Sequence, residues 1–163
     1  MRESNSKNLN IQTPEAMRQL GMDIGTVLLG TTDKPQCVQL EGELGAGKTT
    51  LVAGIVAAFG VKGPVRSPTY TLVEPYELDG RFLYHMDLYR LTDPDEIEPL
   101  GVRELLVPGA VLLIEWPQRA RGRLPPADLS IAIEYEDPPR EGRRVQLTCT
   151  SQVAAEALAR KLR

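Results

Sequence analysis

Apolar positions along the chain fall into short segments whose spacing switches between helical and strand-like periods. Met17, Leu20, Ile24, Val27 and Leu28 recur at spacings of three, four, three and one, which predicts one buried stripe of an amphipathic helix. Thr13-Pro14-Glu15 ahead of them supplies the start: a capping hydroxyl, a proline at the first helical position and an early acid. Gln36 to Glu41 reads as a short strand, and Leu51 to Phe59 as a helix stopped by Gly60. Tyr70 to Tyr76 and Arg81 to Asp87 are strand-like, with the hairpin signal Leu78-Asp79-Gly80 between them. Thr92-Asp93-Pro94-Asp95-Glu96-Ile97 repeats the helix-start chemistry and predicts short helical segments over 94–107.

The run Ala110-Val111-Leu112-Leu113-Ile114 has no polar face, as a central strand covered on both sides requires. Leu129, Ile131, Ile133 and Tyr135 alternate with Ser130, Ala132 and Glu134, and Val145, Leu147 and Cys149 alternate likewise. The two segments are expected to pair antiparallel near the sheet edge, and Ser151 to Arg163 to close the chain as an amphipathic helix. Residues 1–12 read as a loose lead-in. No repeat and no dividing linker is visible, so residues 1–163 are expected to form one α/β domain.

One segment carries chemistry by itself. Gly42-Glu43-Leu44-Gly45-Ala46-Gly47-Lys48-Thr49, followed by Thr50, fits the phosphate-binding loop G-x-x-x-x-G-K-[ST]. Its glycines let successive backbone N–H groups curl round an anion. Lys48 supplies a point charge for the β- and γ-phosphates, Thr49 a hydroxyl for Mg²⁺, and the following helix its positive dipole end. The strand before and the helix after are the setting that this loop needs. The predicted architecture is therefore a three-layer P-loop NTPase fold with a mixed, mostly parallel sheet and an antiparallel edge.

Such a loop needs a carboxylate near the metal, and two strand ends offer one. Glu115 follows the apolar run 110–114, and Asp87 ends the strand 81–87. The pattern favours Glu115, because the tip of a central strand points into the ligand crevice, and leaves Asp87 open as a metal or catalytic acid. Trp116, the single tryptophan, is either a core residue or a flat platform for adenine. Thr69 lies in a proline-rich loop where a hydroxyl can sense a γ-phosphate. His85, the single histidine, reads as a hydrogen-bonded structural residue of its strand rather than a base.

Bulk properties narrow the picture only slightly. A net charge of −3 gives no whole-protein basic field for nucleic acid. The one basic concentration is Arg119, Arg121 and Arg123, followed by Arg140, Arg143 and Arg144. The N-terminal segment lacks the apolar core of a signal peptide, and the longest apolar stretch is too short to span a bilayer. Cys37 and Cys149 are expected to be buried free thiols in a cytoplasmic protein with no membrane partner.

Four motifs in order make the chain resemble the bacterial TsaE family, also called YjeE: residues 42–50, Ser67 to Val73, His85 to Leu91, and Ile114-Glu115-Trp116-Pro117. The likeness runs from about residue 13 to 150. The resemblance implies an ATPase, with ATP and Mg²⁺ as cofactors, required for threonylcarbamoyladenosine beside the tRNA anticodon. It implies a TsaB–TsaD heterodimer as partner and tRNA engaged indirectly through that complex. Motif for motif, Lys48 would clamp phosphate, Thr49 and Glu115 would hold Mg²⁺, and Thr69 and Asp87 would serve the switch and water-positioning region. Trp116 would lie at the nucleotide base, and a residue near Thr13 or Pro14 at the adenine. The alternative from the P-loop alone is a small-molecule or nucleotide kinase, but no arginine-rich lid is evident between 61 and 109. A guanine-nucleotide switch is disfavoured because the N-K-x-D motif is absent.

Overall fold

A computed structural model describes residues 5–68, 70–138 and 140–163. Seven strands form a single sheet in the order β1-β7-β6-β2-β5-β4-β3. They are β1 (Ser6–Ile11), β2 (Gln36–Glu41), β3 (Val73–Leu78), β4 (Arg81–Asp87), β5 (Val111–Glu115), β6 (Leu129–Tyr135) and β7 (Arg143–Cys149). β6, β2, β5 and β4 are mutually parallel; on one side β7 pairs antiparallel with β6 and β1 antiparallel with β7, and on the other β3 pairs antiparallel with β4. The sheet is mixed as expected, with antiparallel strands at both margins rather than one.

β5, the apolar run 111–114 with Glu115 at its end, is buried at every position and lies between β2 and β4. Three α-helices, α1 (Pro14–Leu29), α2 (Lys48–Ala58) and α3 (Gln152–Lys161), contribute to the hydrophobic cluster on one face, with Val38, Leu40, Val111, Leu113, Ile131 and Leu147 from the strands. The opposite face, with Cys37, Met86, Leu112 and Ile114, is covered by 3-10 segments Pro94–Leu100, Val102–Leu105 and Pro117–Ala120. Local chemistry explains their starts. Asp93 and Glu96 form a reciprocal capping box, Asp95 N–H donating to Asp93 Oδ1 at 2.8 Å and Asp93 N–H to Glu96 Oε1 at 2.9 Å. Asp79 and Gly80, at φ 49° and 78°, make the tight β3–β4 turn that the sequence signalled.

Two expectations need correction. Residues 6–11 are not a loose lead-in: they are β1, paired in register with β7 so that Leu9 faces Val145. Two apolar residues, Leu9 and Ile11, are too few to betray a strand, and the free edge of β7 supplies its backbone partners. Tyr70 and Thr71 are not in a strand either. The Leu72 N–H bonds back to Pro68 O at 3.0 Å with Leu72 at φ 65°, so the chain enters the sheet only at Val73.

Helix α2 is set close against α1. A Cβ at Gly21 would lie 2.1 Å from Leu51 O, and one at Gly54 would lie 2.0 Å from Arg18 O. Only hydrogen side chains allow the two backbones to approach this far. Both cysteines are buried and free. Burial pushes the Cys37 thiol from an ordinary 9.0 up to about 12. Its thiolate is thus favoured only in the unfolded chain, so this contribution to stability is complete below about pH 9 and is lost as pH rises toward 12. Denaturant midpoints measured between about pH 8 and pH 11 should fall more steeply for the wild type than for Cys37→Ala; parallel slopes would contradict this.

Candidate functional site

β2 delivers the glycine loop to the centre of the sheet, between β5 and β6, and α2 leaves it at Lys48. Gly45 and Gly47 take φ values of 76° and 118°, which side chains rarely adopt. Gly47 is the N-cap of α2, and no side chain caps that helix. The other two helices are capped, by Thr13 Oγ1 accepting from Ala16 N and Ser151 Oγ from Ala154 N, both at 3.1 Å. The first N–H groups of α2 are therefore left for an anion, with the helix dipole behind them.

The loop is braced from the β6–β7 hairpin. Tyr135 O–H donates to Leu44 O at 2.9 Å, and Arg143 donates to Ala46 O at 3.0 Å and Gly45 O at 3.4 Å. The Arg143 guanidinium lies 4.1 Å from the Tyr135 ring centroid, so three successive loop carbonyls share one rigid support. The sequence placed Arg143 in the one basic concentration, where a phosphate or nucleotide contact by Arg140 or Arg143 matched the family pattern less clearly, and gave Tyr135 only a strand position. Only strand pairing brings the two beside the loop.

Lys48 is buried, and its ammonium donates to Gly42 O and to Glu43 O, the latter at 2.9 Å. The Trp116 ring centroid is 4.3 Å from the same nitrogen. Burial lowers the lysine pKa from its usual value, and the charges of Glu115 and Asp87 oppose that shift. Thr49 Oγ1 donates to the Glu115 carboxylate, at 3.0 Å from Oε1 and 3.2 Å from Oε2. Glu115 Oε2 is also 2.6 Å from His85 Nε2. Leu40, Glu115 and Asp87 are register partners at the C-terminal ends of β2, β5 and β4. Asp87 accepts from Ser67 O–H and, at 3.0 Å, from the Tyr89 backbone N–H.

The structure thus brings Lys48, Thr49, Asp87 and Glu115 to one end of the sheet. Glu43 contributes a carbonyl there, Leu44 is an exposed loop tip, and Thr69 lies outside the described residues. A pocket opens on the other side of the α2 N-terminus, walled by Thr13, Pro14, Met17, Gly47, Thr50 and Arg143. Trp116 does not line it. The ring sits at the Lys48 end instead, 4.9 Å from Tyr89, on a backbone at φ 58° that is unusual for a bulky residue. His85 touching Glu115 was also unforeseen; its spacing of two from Asp87 on a strand was the available signal.

A central parallel sheet, a glycine loop at the tip of its middle strand and an uncapped helix beyond define an α/β protein of the P-loop class. The family model described as "Threonylcarbamoyl adenosine biosynthesis protein TsaE" matches residues 11–145. The chain belongs to the TsaE family, which is involved in tRNA threonylcarbamoyladenosine biosynthesis. Among its relatives, the Haemophilus influenzae protein of that name is 45% identical over 145 residues, covering 88% of this chain and 90% of its own. The Aquifex aeolicus protein is 38% identical, covering 80% and 89%. A crystal structure of YdiB from Bacillus subtilis superposes over all of both chains with a TM-score of 0.74 at 26% identity. Among the described residues, no helix is long and apolar enough to cross a membrane.

Proposed function

We propose that this protein is a Mg²⁺-dependent ATPase that acts with a TsaB–TsaD heterodimer in modifying tRNA next to the anticodon, and that it meets tRNA through that complex. The observation that carries this reading is the uncapped start of α2 with Lys48 and the Thr49–Glu115 pair beside it. Among the described residues no three His, Cys, Asp or Glu groups converge as a dedicated metal cage. One hydroxyl and one carboxylate suit Mg²⁺, which is usually held by one or two carboxylates plus substrate phosphates. When bound, the ion supplies charge neutralisation on the phosphates.

The chain's own residues do the rest. The α2 amides and Lys48 hold the phosphates, the lysine exchanging its loop carbonyls for phosphate oxygens. Glu115 keeps the Thr49 hydroxyl oriented. Asp87 ties the end of β4 to Ser67, two residues before Thr69, and so couples the water-positioning region to the sheet. The adenine enters the pocket at Thr13, Pro14 and Met17, while the Trp116 ring borders the triphosphate end. Hydrolysis by the isolated chain is slow, because switch loops of this kind are completed by a partner. The two free thiols suit a reducing cytoplasm.

Reconstituted tRNA modification tests the proposal. Omitting the protein, or supplying Glu115→Ala in its place, is expected to abolish multiple turnovers while the variant's melting curve shows it folded. Unimpaired multi-turnover modification in either arm removes the role.

A further inference from the structure

Beneath Glu115 lies a group to which the mechanism so far gives no task. His85 is wholly buried in β4, on the same face as Leu83 and Asp87, and pairs across the sheet with Leu113. Its Nε2 is 2.6 Å from Glu115 Oε2, whereas its Nδ1 is buried without a hydrogen-bond partner among the described residues. A hydrophobic residue would fill this slot without leaving a polar atom unpaired. Among the described residues, the imidazole's one polar contact is with the carboxylate that Thr49 also touches.

We infer that His85 is a positioning residue: by donating its Nε2 proton to Glu115 Oε2, it holds that carboxylate in the orientation that meets Thr49 and Mg²⁺. This deepens the Mg·ATP reading and rests on it. An ionised carboxylate only accepts hydrogen bonds, so the shared proton must sit on Nε2. In the neutral ring that leaves Nδ1 a bare lone pair, not an orphaned N–H. Thr49 Oγ1 reaches both carboxylate oxygens about equally, at 3.0 and 3.2 Å, and by itself leaves the group free to turn. His85 singles out Oε2 and removes that freedom. Such contacts behind a metal ligand typically alter metal affinity about 10–100-fold when lost.

Two measurements test this. His85 is the only histidine, so its ¹⁵N signals are unambiguous: wild-type protein should show a protonated Nε2, and a pyridine-type Nε2 with the proton on Nδ1 overturns the assignment. Mn²⁺ binding in the presence of ATP, followed by electron paramagnetic resonance, should weaken about 10–100-fold in His85→Leu. His85→Gln, whose side-chain amide can donate from the same depth, should restore affinity to within about threefold of wild type. ATP binding in the absence of divalent metal should stay unchanged in both. Unaltered Mn²⁺ affinity in folded His85→Leu, or a glutamine variant as impaired as the leucine one, sinks the idea. Should His85→Leu fail to fold, the wild-type tautomer and His85→Gln decide. A wild-type protein that binds no Mn·ATP overturns the ATPase reading itself, and the role of His85 with it.

Discussion

Lys48→Ala is expected to lower ATP turnover by roughly 10²–10³, or about 3–4 kcal/mol of transition-state stabilisation, measured with the proposed partners TsaB and TsaD present. The size follows from the environment of the ammonium group. It is buried beside Glu115 and Asp87, so its charge acts at a lower effective dielectric than in bulk water. Its present partners are the Gly42 and Glu43 carbonyls and the Trp116 ring. Truncation removes one hydrogen-bonding cation and leaves the α2 amides intact, so nucleotide binding should weaken less than turnover. Near-normal turnover in a folded Lys48→Ala protein would defeat the assignment of this loop as a phosphate clamp.

Gly54→Ala is expected to destabilise the protein by about 3 kcal/mol, the upper end of the cost of overpacking. For a domain of this size that corresponds to a fall in melting temperature of roughly 6–12 °C. The added methyl group would lie 2.0 Å from Arg18 O and 2.9 Å from Gly21 Cα, so two helix backbones must part to admit it. Helix propensity works the other way by at most about 1 kcal/mol and cannot offset the clash. The same displacement would reach the site, because α2 begins at Lys48 and Gly47 lies against Met17 of α1. Gly30→Ala is the control: its φ of −72° suits any residue and its new Cβ would meet nothing nearer than Val27 O at 3.3 Å. It should stay within about 1 kcal/mol of wild type. An unchanged melting temperature for Gly54→Ala would mean that the helices are not held at this distance.

Much of the fold was legible because its causes are local. β2 and β4 have the limits that the hydrophobic pattern predicted, and the apolar run at 110–114 lies in the buried centre of the sheet. The boundaries that misled were those settled elsewhere in the chain. β1 exists because β7 offers it an edge, and β3 starts late because Leu72 closes a turn onto Pro68. The site divides in the same way. Lys48, Thr49 and Glu115 could be picked out from a motif and a strand tip. Arg143 and Tyr135 hold the loop from more than ninety residues away, and nothing beside them in the chain announces it.

Side-chain identity and spacing by themselves determined the phosphate loop, the helix starts and the acids at the strand ends, because each depends on dihedral preferences and hydrogen bonds within a few residues. Tertiary structure alone decided that Trp116 lies against Lys48, that His85 meets Glu115 and that Gly21 meets Gly54. Those contacts arise from strand register and helix crossing, which are properties of two segments together and are written in neither one.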